Sequence, residues 1–256
     1  MIRNGWEEIG TTQYDSYRFT GWEKLRYLLQ GILIITLIGY FFYKHMGVIL
    51  MMTPLVYYYL KSKRRCLIRE RKWKLNLEFR DGILALSAAL EAGYSAENAI
   101  EEARKDLLHI YHESAMIVQE FNYMINQLRM NVTVEKVMED FAIRSQVEDI
   151  LSFSEVFSTA KRSGGELISV IKLTGNIISD KIEVKREIIT LITAKRMEAN
   201  IMKGIPLLIL AYLTFSSPGF LDPLYHNAFG VIVMTVLLLM YLVANLVIER
   251  IIAIEV

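Results

Sequence analysis

The stretch Ala160-Lys161-Arg162-Ser163-Gly164-Gly165-Glu166-Leu167 decides how the chain folds. A helical pattern reaches it from Leu151, a tight turn falls on Gly164 and Gly165, and a second helical pattern leaves it and runs unbroken to Asn200. Glycine suits such a corner because, lacking a Cβ, it takes positive φ without steric cost. Beyond the corner, Leu167, Val170, Thr174, Ile177, Val184, Ile188 and Leu191 recur near a seven-residue rhythm, which predicts a helix burying that stripe. The stretch is scaffold and carries no catalytic group.

Upstream the same logic repeats. Phe79, Ile83, Leu86 and Leu90 share one face of a helix that stops at Gly93. Ser95 caps a second, with Ala96, Ala99, Ile100, Ala103 and Leu107 inward. A third, with Ile117, Phe121, Met124 and Leu128, ends at Asn131, a residue that tolerates left-handed backbone. Thr133 caps a short fourth with Val134, Val137 and Phe141 inward, and a fifth carries Val147, Ile150, Phe153, Phe157 and Ala160. Each corner ends one helix and releases the next within a few residues. Residues 75–200 are therefore predicted to form an all-α antiparallel bundle of about six helices. No window alternates as a strand would.

Both flanks of this block are apolar. Hydrophobic residues make up 53% of the 256 and mean hydropathy is +0.29, so part of the chain belongs in a membrane. Residues 24–60 read as a transmembrane hairpin, with runs Leu25–Tyr43 and Gly47–Leu60 joined at Lys44-His45-Met46 and Pro54 kinking the second. Residues 201–256 read as a second hairpin and tail. Its runs are Ile201–Ser216, opened by Lys203 and Pro206, and Ala228–Ile248, separated by Ser217-Pro218-Gly219-Phe220-Leu221-Asp222-Pro223. Residues 1–23, with Trp6, Tyr14, Tyr17, Phe19 and Trp22 among charges, read as an interfacial or loosely ordered leader without a signal peptide.

Net charge is +1, yet Lys61, Lys63, Arg64, Arg65, Arg69, Arg71, Lys72 and Lys74 crowd one segment, 61–74, whose only acid is Glu70. Placed directly after an apolar run, it reads as a juxtamembrane anchor to lipid on the cytoplasmic side, rather than as a nucleic-acid site. The positive-inside bias then puts residues 61–203 and both ends in the cytoplasm. The lone Cys66 offers no disulfide or cysteine metal site. His109, His112 and Glu113 have ligand-like spacing but no second cluster to close a metal site, and read as a solvated helix end. Glu101, Glu102, Arg104 and Lys105 read as a mixed-charge face, with partner docking the alternative. No phosphate-cradling glycine loop followed by Lys and Ser/Thr is present. No catalytic, cofactor or metal residue is expected, and the chain reads as a non-enzyme.

From Leu77 to the C-terminus the chain resembles the type II secretion system F domain family, above all the single-domain platform proteins of tight-adherence (Tad/Flp) pili, the TadB and TadC type. Phe79-Arg80-Asp81-Gly82-Ile83 through Leu90-Glu91-Ala92-Gly93-Tyr94-Ser95 is similar to that family's opening helix and turn. The passage Ala160 to Leu167 resembles its double-glycine corner, and Ile192-Thr193-Ala194, with Ala199 and Pro206, its approach to the third membrane helix. Departures are Arg80 where proline is usual, Asn131 where glycine is usual, and Lys195-Arg196-Met197 where an acid or amide, Gly and Arg are usual. The resemblance implies an inner-membrane platform between a cytoplasmic secretion ATPase and pilin or pseudopilin subunits, working with a second platform protein or a second copy of itself. A membrane-anchored helical signalling or binding module is the alternative; a membrane enzyme would have to use His109, His112 and Glu113.

Overall fold

Among the described residues, glycine or asparagine stands at several of the turns between helices, as at Gly93 and Asn131. The computed structural model describes residues 13–17, 19–44, 54–163, 167–217, 219–225 and 227–254. Among these every regular element is an α-helix: α1 Gly21–Tyr43, α2 Pro54–Glu91, α3 Ala96–Ile110, α4 Met116–Arg129, α5 Val134–Ser145, α6 Glu148–Ser163, α7 Leu167–Ser216, α8 Asp222–Tyr225 and α9 Ala228–Ile254. The chain divides into two units, one of residues 1–20 with Arg64–Glu183, the other of Gly21–Lys63 with residues 184–256.

In the first unit, consecutive helices α3 and α4, α4 and α5, and α5 and α6 pack on one another. Phe79, Leu86, Ile100, Phe121, Phe141 and Phe153 lie at the centre of one apolar core. Gly93 and Asn131 turn the chain with φ of 90° and 63°, as their residue types suggest. Gln146 makes a further left-handed corner, φ 50°, without glycine or asparagine to announce it. The Gly164-Gly165 turn lies outside the described residues. Ser95 Oγ accepts the Asn98 N–H at 3.4 Å and so caps α3. Thr133 holds the capping position of α5 without a side-chain capping bond.

One expected stripe is corrected. Along α7 the buried apolar side chains are Ile171, Ile178, Ile182 and Ile192, whereas Ile177, Val184, Ile188 and Leu191 are exposed. The α7 sequence offers two apolar stripes about one residue apart, and Gly175 selects between them. A Cβ on Gly175 would stand 2.9 Å from Ile83 Cγ2, so the missing side chain is what lets α7 close on α2 along that face. Gly175→Ala is expected to destabilise the unit by about 1–3 kcal/mol, because Ile83 is branched at Cβ and cannot swing its methyl away. The better helix propensity of alanine, about 1 kcal/mol, offsets only part of this. Slowed hydrogen exchange in α2 and α7 of that variant would contradict the expectation.

In the second unit, Phe42, Met234 and Leu238 form a small core where α1 meets α9, and α8 packs on α9. Tyr43 and Thr235 hydroxyls are 2.8 Å apart, and Tyr225 Oη donates to the Phe41 carbonyl at 2.7 Å. Lys44 lies 3.5 Å from Asp222 and over the Tyr225 ring. Among the described residues, α1, α7 and the Phe229–Ile251 part of α9 are long and apolar enough to cross a membrane. Residues 47–53 of the expected crossing Gly47–Leu60 lie outside the described residues, which resume at Pro54 in α2. No helix begins at Lys203 or Pro206: α7 runs through both from Leu167, with Pro206 inside it. A proline there removes one backbone bond, which the long helix on either side tolerates.

Candidate functional site

The structure sorts the basic run of α2 into two groups. Arg71, Lys72 and Lys74 are engaged within the first unit: Arg71 lies 4.8 Å over the Tyr14 ring, Lys72 is 2.7 Å from Asp15, and Lys74 is 4.0 Å from Glu78. Lys61, Arg64, Arg65 and Arg69 are exposed, with no carboxylate partner among the described residues, and Lys63 lies over the Tyr59 ring at 5.9 Å. Like charges at i and i+4 repel, so Lys61, Arg65 and Arg69 form a row that favours an anionic neighbour.

On α3 the mixed-charge quartet separates. Glu101 faces Arg129 of α4 at 3.6 Å, Glu102 pairs with Lys105 at 2.7 Å, and Arg104 has no carboxylate partner among the described residues. His109, His112 and Glu113 are exposed, and the His112 ring is engaged by Ser114 through Nδ1. Among the described residues no three His, Cys, Asp or Glu side chains converge as metal ligands would. A cavity of about 660 Å³ opens by the α2–α3 turn, with apolar walls from Leu90, Ala96, Leu167 and Ile168 and a 2.9 Å Lys172–Glu91 pair beside them.

Buried polar ties went unread in the sequence. Glu78 of α2 accepts the Ile117 N–H at 3.0 Å, capping α4, whose own capping residue Ala115 has no suitable side chain. Tyr111 Oη donates to Asp81 at 2.6 Å; burial and then that carboxylate hold its phenol pKa well above 10.0. Asp149 of α6 accepts from Asn76 of α2 and from Lys181 of α7.

A further buried tie involves the expected loose leader. Tyr14 is 3% exposed and sits in the core of the first unit. Its hydroxyl donates to Glu120 Oε1 at 2.7 Å, and its backbone N–H to the Arg144 carbonyl at 3.2 Å. Arg144 in turn donates to both Glu120 oxygens, at 3.0 and 2.7 Å, and to Asp140 at 2.8 Å. The leader is thus docked at residues 13–15, because an aromatic that reads as interfacial also fits a core when its hydroxyl has a buried acceptor. Compared with protein-family models, curated proteins and solved structures, this chain matches none.

Burial, and then Glu120, push the Tyr14 phenol far above its ordinary 10.0. Burial disfavours the Arg144 charge, but its hydrogen bonds to Glu120 and Asp140 outweigh that and hold the guanidinium ionised. A raised folded-state pKa means that Tyr14 stabilises fully below pH 10.0 and loses that contribution as the pH rises further. Hydrogen exchange of residues 13–16 is expected to accelerate above pH 10.0, beyond the intrinsic rate, in the wild type and not in Tyr14→Phe. Equal acceleration in both would contradict the assignment.

Proposed function

We propose that the chain is a platform protein of the inner membrane in a type II secretion or tight-adherence pilus machine, coupling a cytoplasmic secretion ATPase to the export and assembly of pilin or pseudopilin subunits. One observation carries the reading: a helical unit with its own core and left-handed corners at Gly93 and Asn131 is joined in sequence to helices long and apolar enough to cross a membrane. The cations Lys61, Arg64, Arg65 and Arg69, which have no carboxylate partner among the described residues, support a cytoplasmic membrane surface rich in anionic lipid at that point.

In this reading two hairpins give four crossings, residues 61–203 and both ends are cytoplasmic, and a second platform protein or a second copy completes the assembly. The helical unit meets the ATPase, and the membrane helices guide the pilin. The apolar cavity between Leu90 and Ile168 favours a second reading, a membrane-anchored binding module. Gene deletion separates the two: the platform reading expects extracellular fibre or pseudopilus subunits to accumulate in the inner membrane, with export restored by the wild-type gene. Unchanged export in the deletion strain would overturn it.

A further inference from the structure

Gln13 and Asp15 are exposed while Tyr14 between them is 3% exposed, so a single side chain of this non-helical segment plugs a socket in the first unit. The socket is built by α2, α4 and α5, and it is complete without its occupant. Glu120 keeps both bonds from Arg144, Arg144 keeps Asp140, and the Tyr123 ring lies 4.8 Å from the Arg144 guanidinium. Withdrawing Tyr14 therefore leaves no buried charge uncompensated, unlike withdrawal of Glu120 or Arg144.

The occupant supplies four complementary features from two consecutive residues. The phenol gives a proton to Glu120 at 2.7 Å, and the ring face meets the Arg71 guanidinium at 4.8 Å. The Tyr14 N–H bonds the Arg144 carbonyl at 3.2 Å, and the Asp15 carboxylate meets Lys72 at 2.7 Å. A short irregular segment that puts one side chain into a core opens locally without unfolding the helices beneath it. We propose that this socket is a binding site for short Tyr-Asp segments, filled in cis by Tyr14-Asp15, so that the chain's own segment is a displaceable latch. The inference does not rest on the platform reading.

The test uses the full chain in lipid nanodiscs and a fluorescent peptide of residues 11–19. Tyr14→Ala protein is expected to bind the peptide saturably, with the wild type binding at least about tenfold more weakly because its tethered segment competes at a high effective concentration. A peptide carrying Phe in place of Tyr14 is expected to lose about tenfold or more in affinity, the effect of removing a hydrogen bond to a charged acceptor. In the wild type, amide exchange of residues 13–16 is expected to proceed by openings that leave α4 and α5 protected. Absence of peptide binding by helical Tyr14→Ala protein, or equal binding by wild type and variant, would overturn the proposal. Should Tyr14→Ala fail to fold, the wild-type exchange decides: protection of residues 13–16 equal to that of α4 would make Tyr14 a fixed part of the core and overturn the proposal.

Discussion

Arg144→Met is expected to destabilise the first unit by about 3–5 kcal/mol, the typical result of removing one partner from a buried ion pair. Arg144 and Glu120 side chains are 10% and 6% exposed, and the guanidinium gives Glu120 both of its charged bonds. Without it, Glu120 keeps only the Tyr14 hydroxyl, and a carboxylate left so in the core must either protonate or draw in water. Methionine fills much of the arginine volume, so the loss reports charge more than packing. Adding Glu120→Leu to Arg144→Met should recover a large part of the loss, since an apolar pair can replace a buried ionic one. Opening free energies from hydrogen exchange in α4 and α5, measured on the full chain in nanodiscs, give both numbers. A loss below about 1 kcal/mol for the single variant would mean that the pair behaves as an exposed one.

The second large effect is in the aromatic centre. Phe79 is 2% exposed and meets Phe141 and Phe153 edge-on, with ring centroids 5.9 and 5.5 Å away. It stands on α2, and its partners on α5 and α6, so one ring holds helices that are distant in sequence. Phe79→Ala is expected to cost about 3–5 kcal/mol through lost burial and the cavity left behind. Phe79→Leu, which keeps most of the volume, should cost less than half as much. Exchange protection in α5 and α6 should fall along with that in α2; a loss confined to α2 would contradict this packing.

Much of the helical pattern was legible because it depends on local signals. Gly93, Asn131 and Ser95 act through backbone conformation and capping, and each does in the structure what its residue type suggests. The inward faces of α3, α5 and α6 were legible from apolar spacing, since Ala99, Ile100, Phe141 and Phe153 are all buried. Along α7 spacing could not choose between adjacent stripes, because the choice depends on Gly175 meeting Ile83 from a helix far away in sequence. The same applies to Glu78 capping α4, to Tyr14 entering the core and to the Glu120–Arg144 pair. Charged residues in an amphipathic pattern read as solvated until a distant partner is known. Gln146 gave no signal either: with φ of 50° it closes α5 as a left-handed cap, its N–H on the Ala142 carbonyl, and a glutamine side chain does not announce that backbone.

The most direct test of the platform account is a cross-linked pull-down of the tagged protein from native membranes in mild detergent, with co-purifying proteins identified by mass spectrometry. The account predicts recovery of a hexameric secretion ATPase together with a pilin, a pseudopilin or a second platform protein. Recovery of none of them, from cells shown to express them, would contradict it.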